Sequence, residues 1–121
     1  MILLVAGSRT IKDRELVFGK LDEITQTNTP DVVISGGAVG VDTLGESWAN
    51  SRDYPFVPFV AVWKEMGKRA GYLRNIQMAV AATHAVIFWD GQSRGARHMI
   101  DLCRDYDVEV RIVRTDNENG E

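Results

Sequence analysis

The sequence predicts a three-layer α/β fold, in which a five-stranded parallel sheet of order 3-2-1-4-5 lies between two layers of helices. Two observations support the fold class, and a third gives the strand order. Short apolar runs alternate with segments of helical periodicity, and 121 residues is the length of one compact domain. Pro58 in the third run and a charged alternation in the fifth mark the two edge strands. Strands separated by helices pair in parallel through right-handed crossovers.

The N-terminal part of the chain predicts a strand, a helix and a second strand. Ile2–Ala6 is apolar throughout, as expected of a strand covered by helices on both faces. Asp13 is a favoured capping residue, and it opens a helix that runs to about Thr27. The apolar face of this helix consists of Val17, Leu21 and Ile24. Asp31–Ser35 is the second strand.

The middle of the chain continues the alternation with a helix, a strand and a further helix. The second helix has small or apolar residues at positions i, i+3, i+4 and i+7, namely Val41, Leu44, Gly45 and Trp48. Phe56–Val62 is the third strand. Its Pro58 has no N–H to donate to a ladder, so the strand belongs at an edge of the sheet. The third helix runs from Lys64 to about Ala82.

The C-terminal part predicts a buried strand, a capped helix and an edge strand. His84–Trp89 is the fourth strand, and Ser93 caps the fourth helix. The inward face of that helix consists of Ala96, Met99, Ile100 and Cys103. Val108–Val113 alternates apolar and charged residues, which suits the second edge. We therefore expect one domain over residues 1–114 and a disordered polar tail over 115–121.

Composition narrows the class of protein. The formal net charge of −3 gives no general attraction to nucleic acid or acidic membranes. A single cysteine excludes an internal disulfide and a zinc site built on cysteines. The N-terminal apolar run is too short for a signal sequence, and no run reaches the roughly 18 residues of a membrane span. We expect a cytoplasmic protein with no metal, no cofactor and no membrane contact.

Three glycine-bearing loops predict a ligand site at the carboxyl edge of the sheet. They are Gly7–Thr10, Ser35–Asp42 and Trp89–Gly95, and they follow strands one, two and four. In open parallel sheets, ligands bind at this edge where the strand order reverses, here between strands one and four. Such loops leave backbone N–H groups unpaired at helix N-termini, where phosphate oxygens accept hydrogen bonds. One such loop is ordinary in α/β proteins, but three on one edge favour a phosphate ligand.

The candidate ligand-binding residues belong to these loops and to the third helix. Arg9 and Arg74 supply permanent positive charge, and His98 stands on the first turns of the fourth helix, where it serves either as an acid, base or ligand contact or as a surface residue. The ligand-binding set is Gly7, Ser8, Arg9, Ser35, Gly36, Gly37, Gly40, Asp42, Arg74, Asn75, Asp90, Gly91, Ser93 and Gly95. Neither G-x-x-x-x-G-K-[ST] nor G-x-G-x-x-G is present, so neither a P-loop ATPase nor a standard dinucleotide dehydrogenase is supported.

Four segments together carry a family resemblance: "GSRT", "SGGAVGVDTLGESWA", "GKRAGYLRNIQM" and "FWDGQSRGARHMI". They resemble the SLOG superfamily of Rossmann-like proteins, and within it the short YspA/YpsA-like group of bacteria and phages, over nearly the whole chain to about Val113. Relatives in this superfamily include the DprA/Smf proteins, which bind single-stranded DNA. They also include the LOG phosphoribohydrolases, often mislabelled lysine decarboxylases, which cleave the N-glycosidic bond of nucleoside monophosphates.

The resemblance maps roles onto particular residues. "SGGAVGVD" looks like the S-G-x-A-x-G-[IV]-D loop of the DprA branch and implies roles for Ser35, Gly36, Gly40 and Asp42. "RNIQM" is similar to the R-K-x-x-M of the LOG enzymes, whose substrate-binding arginine falls on Arg74. "DGQSRGARHM" takes the place of the LOG segment P-G-G-x-G-T-x-E-E. It has no glutamate after its Gly95, and His98 or a near neighbour stands where the LOG catalytic glutamate would be.

The leading hypothesis is a sensor or binding module for a nucleotide or nucleotide-derived ligand of the AMP or ADP-ribose type. Its phosphate would lie on the second glycine loop and on Ser93–Gly95, with Arg9 and Arg74 as counter-charges. The alternative is a nucleoside 5′-monophosphate N-glycosidase, in which Asp42 or Asp90 replaces the missing glutamate, with Arg74 and His98 as catalytic partners. An oxocarbenium-like transition state needs such a carboxylate, and Glu46 is a further candidate.

Two expectations concern macromolecular partners. DprA-like binding of single-stranded DNA is a third hypothesis, which the net charge of −3 and the lack of an evident basic and aromatic groove disfavour. A homodimer is what the relatives suggest, and Met66, Tyr72 and Ile76 would supply its apolar contacts.

Overall fold

The computed structural model describes residues 1–37, 39–61, 67 and 69–116. Strands and helices alternate along the chain as predicted, and the sheet is parallel throughout. The elements are β1 (Ile2–Gly7), α1 (Arg14–Ile24), β2 (Val32–Ser35), α2 (Val41–Ser51), β3 (Phe56–Pro58), α3 (Arg69–Ala81), β4 (His84–Trp89), α4 (Arg94–Asp105) and β5 (Glu109–Arg114).

The strand order is β3-β2-β1-β4-β5, which confirms the predicted order. In the central register, Leu4 of β1 lies opposite Ile34 of β2 and Ala85 of β4. The chain adds strands to one side of β1 and then to the other, so the order reverses between β1 and β4. The loops that follow these two strands diverge to opposite faces of the sheet and leave a crevice at its carboxyl edge.

Two apolar cores cover the two faces of the sheet, which gives the three layers. On one face, Val17 of α1 and Trp48 of α2 pack against Leu3 and Phe88. The core on the other face includes Leu4, Ile87, Met78 of α3, and Met99 and Cys103 of α4. Cys103 is fully enclosed, and this burial raises the pKa of its thiol to about 11.

The ends of several elements differ from the predicted ones for local reasons. Helix α1 ends at Ile24, where Thr25 is the C-cap and donates both its N–H, at 3.1 Å, and its hydroxyl, at 2.7 Å, to Leu21 O. Strand β3 ends at Pro58, although the N–H of Phe59 still donates to Ser35 O. Strand β5 begins one residue later than predicted, because the N–H of Val108 donates to the end of α4.

Parts of four predictions fall outside the described residues. They are the end of the third strand at Val62, the start of the third helix at residues 64–66 and 68, Met66 as a dimer contact, and residues 117–121 of the predicted tail. Just before residue 117 the chain still contacts β4, because the N–H of Thr115 donates to Trp89 O at 2.9 Å. In the part of the chain that the structure describes, no helix has the length and apolarity needed to cross a bilayer.

Candidate ligand site at the carboxyl edge of the sheet

A cavity of about 440 Å³, here called the main cavity, opens where the strand order reverses. Its size is within the range of about 300–1,000 Å³ that is typical of small-ligand sites. Four apolar residues form its floor: Ala6, Met78, Ala96 and Met99. Its remaining lining residues are Gly7, Arg9, Thr10, Asp42, Arg74, Asn75, Asp90, Gln92, Ser93 and Gly95. The loops after β1 and β4 and the helices α2, α3 and α4 therefore meet at one place.

The loop after β4 is organised by Asp90. Its Oδ1 accepts the backbone N–H groups of Gln92 and Ser93 at 2.9 and 2.8 Å, and its Oδ2 accepts the hydroxyl of Thr10 at 3.0 Å. These donors, the two backbone N–H groups first, lower the pKa of Asp90 to about 2. Ser93 then caps α4, because its Oγ accepts from the N–H of Ala96. Asp90 is thus an ionised residue that holds its own loop.

The loop after β1 is locked to the loop after β4. Ser8 is buried, its N–H donates to Phe88 O at 2.9 Å, and its Oγ accepts from the N–H of Asp90 at 3.1 Å. Gly7 allows this contact, since a Cβ atom there would lie 2.5 Å from the same Phe88 carbonyl oxygen. Ser8 is therefore a buried residue that joins the two loops, while its neighbour Arg9 is exposed and lines the cavity.

The glycine loop after β2 is held from another element. Nη1 of Arg74, on α3, donates to Gly36 O at 2.7 Å. A Cβ atom on Gly36 would lie 2.6 Å from that Nη1 and 3.1 Å from Oδ2 of Asp42, so the loop passes between a cation and a buried carboxylate. The Oγ of Ser35 is buried and finds no hydrogen-bond partner among the described residues. Gly37 is exposed, with a φ of +76°.

A chain of hydrogen bonds connects Arg74 to His98. Nε of Arg74 donates to Oδ1 of Asn75 at 3.0 Å, and Nδ2 of Asn75 lies 3.2 Å from Nδ1 of His98. Because an arginine only donates, the orientation of the Asn75 amide is fixed, and Nδ2 must donate to His98. Nδ1 is then the acceptor, and the ring proton lies on Nε2. The ring also packs edge to face against Tyr72, at 4.8 Å between centroids.

A smaller cavity of about 220 Å³, here called the side cavity, adjoins the main cavity. The two share four lining residues, Arg9, Arg74, Asn75 and Gly95. The side cavity adds Gly71, Tyr72, Arg94 and His98. His98 therefore stands beside the main cavity and not in its lining.

The structure brings eight of the predicted ligand-binding residues into the lining of the main cavity: Gly7, Arg9, Asp42, Arg74, Asn75, Asp90, Ser93 and Gly95. Ser8, Ser35, Gly36, Gly37 and Gly40 lie in or under the flanking loops and outside the described lining of both cavities. Gly91 faces the ion pair between Arg114, the last residue of β5, and Asp116. Thr10, Gln92 and Arg94 were missed. All three belong to the loops Gly7–Thr10 and Trp89–Gly95 that the sequence had marked, and no pattern distinguishes them there.

Comparison with known proteins identifies the family of this chain. The model of the YAcAr family, described as the YspA, cpYpsA-related SLOG family, matches residues 1–66. The chain belongs to this SLOG family. The SLOG chain is also 37% identical over 103 residues to "Gene 61 protein" of Mycobacterium phage D29, and the match covers 79% of this chain and 82% of the relative. No solved structure matches it. SLOG membership suggests a nucleotide-related binding or modifying role.

Proposed function

We propose that this SLOG protein binds a nucleotide or nucleotide-derived ligand at the carboxyl edge of its sheet, as a sensor or binding module. The main cavity supports this proposal, because it joins an apolar floor to cations and carboxylates within about 440 Å³. Met78 and Met99 offer a surface for a base or sugar, and Asp42 offers an acceptor for ribose hydroxyls. Arg9 and Arg74 offer counter-charges for phosphate.

An N-glycosidase is the second candidate, and the carboxylate of Asp42 in the main cavity is the observation that favours it. Two other observations weigh against turnover. Asp90 already accepts hydrogen bonds from Gln92, Ser93 and Thr10, and its pKa of about 2 makes it a poor base. His98, one of the two catalytic partners expected for this reaction, lines the side cavity and not the main cavity. We therefore expect binding without appreciable hydrolysis.

Binding is tested by calorimetric titration of the protein with AMP, ADP-ribose and a panel of other nucleotides. We expect saturable binding, and a rise in melting temperature of the kind that a ligand specific for the native state produces. Arg74→Ala should weaken binding on the order of 10- to 100-fold, because it removes charge-assisted hydrogen bonds. Arg104→Ala, an exposed change of the same charge on the last turn of α4, is the control and should leave binding unchanged. A panel without any binding would reject the proposal.

Turnover is tested separately by chromatography of free base after long incubation with nucleoside 5′-monophosphates. Wild type should release no base above the buffer blank. Base release that disappears in His98→Ala, while nucleotide affinity survives, would establish the N-glycosidase instead.

A further inference from the structure

The two cavities differ in charge. Three guanidinium groups, those of Arg9, Arg74 and Arg94, line the side cavity, and none of its described lining residues is a carboxylate. The main cavity contains two of these arginines together with Asp42 and Asp90. Asp90 remains ionised because its own loop donates to it. A phosphoryl group in the main cavity would approach these carboxylates, whereas in the side cavity it would meet only cationic and neutral groups.

The side cavity also contains hydrogen-bond donors that have no acceptor among the described residues. The described contacts of Arg74 use its Nε and one Nη1 proton, so the rest of its fork is available to a ligand. Arg9 and Arg94 are exposed, and neither forms an ion pair with a described residue. His98 adds the Nε2 proton that its bond from Asn75 leaves in place. Several donors without a facing acceptor are what a phosphoryl group requires.

The passage between the cavities is open at Gly95. Apart from its own helix backbone and chain neighbours, no described atom lies within 4 Å of a Cβ placed on this residue. Gly95 lines both cavities, on the first turn of α4. A ligand therefore has room to lie across Gly95, with one part in each cavity.

We propose that the side cavity is a phosphoryl-binding subsite, so that a nucleoside 5′-phosphate lies with its nucleoside on the apolar floor of the main cavity and its phosphate among Arg9, Arg74 and Arg94. The nucleoside half of this inference rests on the proposed function, and the anion half does not. The proposed subsite places the phosphate away from Gly36, Gly37 and Gly40, none of which lines either cavity. Arg94 becomes the residue that distinguishes a phosphorylated ligand from a bare nucleoside.

The anion half is tested with inorganic pyrophosphate as the probe, by two-dimensional NMR at low ionic strength. We expect pyrophosphate to shift the resonances of Arg94, Gly95 and Tyr72 in wild type, and to lose at least about tenfold in affinity in Arg94→Ala. Arg97→Ala is the matched control. It lies on the same helix with the same charge, but it lines a separate cavity with Trp89 and Arg104, and it should leave the affinity unchanged. Equal affinities in the two variants would overturn the inference.

The nucleoside half is tested by titrating adenosine and 5′-AMP into wild type, Arg94→Ala and Arg97→Ala. We expect AMP to bind at least about tenfold more tightly than adenosine in wild type and Arg97→Ala, and this preference to be lost in Arg94→Ala. Nucleotide binding that does not depend on Arg94 would overturn the inference while the proposed function stands. Pyrophosphate binding that depends on Arg94, with no nucleotide or nucleoside bound, would support the subsite and reject the proposed function.

Discussion

The loop after β4 and the glycine loop after β2 are held in place by different contacts. The loop after β4 is held by its own residues and by the loop after β1, through the bonds of Asp90 to Gln92, Ser93 and Thr10 and its contact with Ser8. The glycine loop after β2 leads into a helix with no side-chain cap, and the Arg74–Gly36 bond crosses to it from α3. The β4 side is held without the lining arginines, whereas the β2 side is bonded to Arg74, which also lines both cavities.

If the proposed ligand binds here, this difference predicts where its binding and the stability of the protein are coupled. On the β4 side, substitution of a lining arginine leaves the loop bonds in place, because they run between Asp90, Gln92, Ser93 and Thr10. On the β2 side, Arg74 lines both cavities and holds Gly36 O, so changing it alters the site and its support together. The unfolding free energy of each Arg74 variant should therefore be measured beside its affinity.

The largest expected effect tests what fixes the glycine loop. Gly40 has a φ of +81°, and a Cβ atom there would lie 2.7 Å from the backbone oxygen of Arg9. Gly40→Ala should lower the unfolding free energy by about 2–6 kcal/mol, since backbone strain and overpacking add. Gly37→Ala is the control. It has a similar φ of +76° but open space around the new methyl group, and it should cost only about 1–2 kcal/mol. Equal losses in urea denaturation would mean that the close approach to Arg9 does not matter.

The next effect tests whether the negative charge of Asp90 stabilises the loop after β4. Asp90→Asn should cost about 1–2 kcal/mol at neutral pH, because the ionised acceptor of two backbone N–H groups is lost. The folded pKa of about 2 lies below the unfolded value of about 3.9. The charge therefore contributes stability that is present above about pH 4 and is lost as the pH falls towards 2. Urea denaturation at several pH values should show the two proteins converging in this window, and a constant gap down to pH 2.5 would contradict the assignment.

The smallest effect concerns a hydroxyl at the base of the glycine loop. Ser35 Oγ is buried without a partner among the described residues, so Ser35→Ala removes an uncompensated polar group. We expect no loss of unfolding free energy and a gain of up to about 1 kcal/mol. The control is Thr25→Val, which deletes a buried hydroxyl that donates to Leu21 O at 2.7 Å and should cost about 1 kcal/mol. Similar losses in the two variants would show that Ser35 has a bonding role.

The fold could be predicted almost completely from the sequence, because its determinants are local. Apolar runs gave the strands, and Pro58 and the charged alternation of the last strand gave the edges. Asp13 and Ser93 were predicted as caps, and their side chains accept the hydrogen bonds that define those helix starts. The end of α1 at Ile24 was not predicted: Thr25 donates both its N–H and its hydroxyl to Leu21 O, and no sequence pattern marks this turn as the last.

The position of the site could be predicted from the sheet topology, but the side-chain contacts within it could not. The rule for open parallel sheets placed the three loops on one edge. The bond from Arg74 to Gly36 O depends instead on where α3 crosses the glycine loop, 38 positions away in sequence. The role of Asp90 as the anchor of its loop depends on the approach of Thr10 and Ser8 from another strand. Neither contact has a sequence pattern that spacing or periodicity can show.

The single thiol reports how often helix α4 opens. Cys103 is enclosed on α4, and its pKa of about 11 keeps it protonated at neutral pH, so a maleimide or disulfide reagent reacts only when the helix lifts from the sheet. The labelling rate therefore counts openings of the same helix that carries Arg94 and His98. A ligand that bridges this helix to α3 across the side cavity should lower the labelling rate of Cys103, whether or not it changes the average structure.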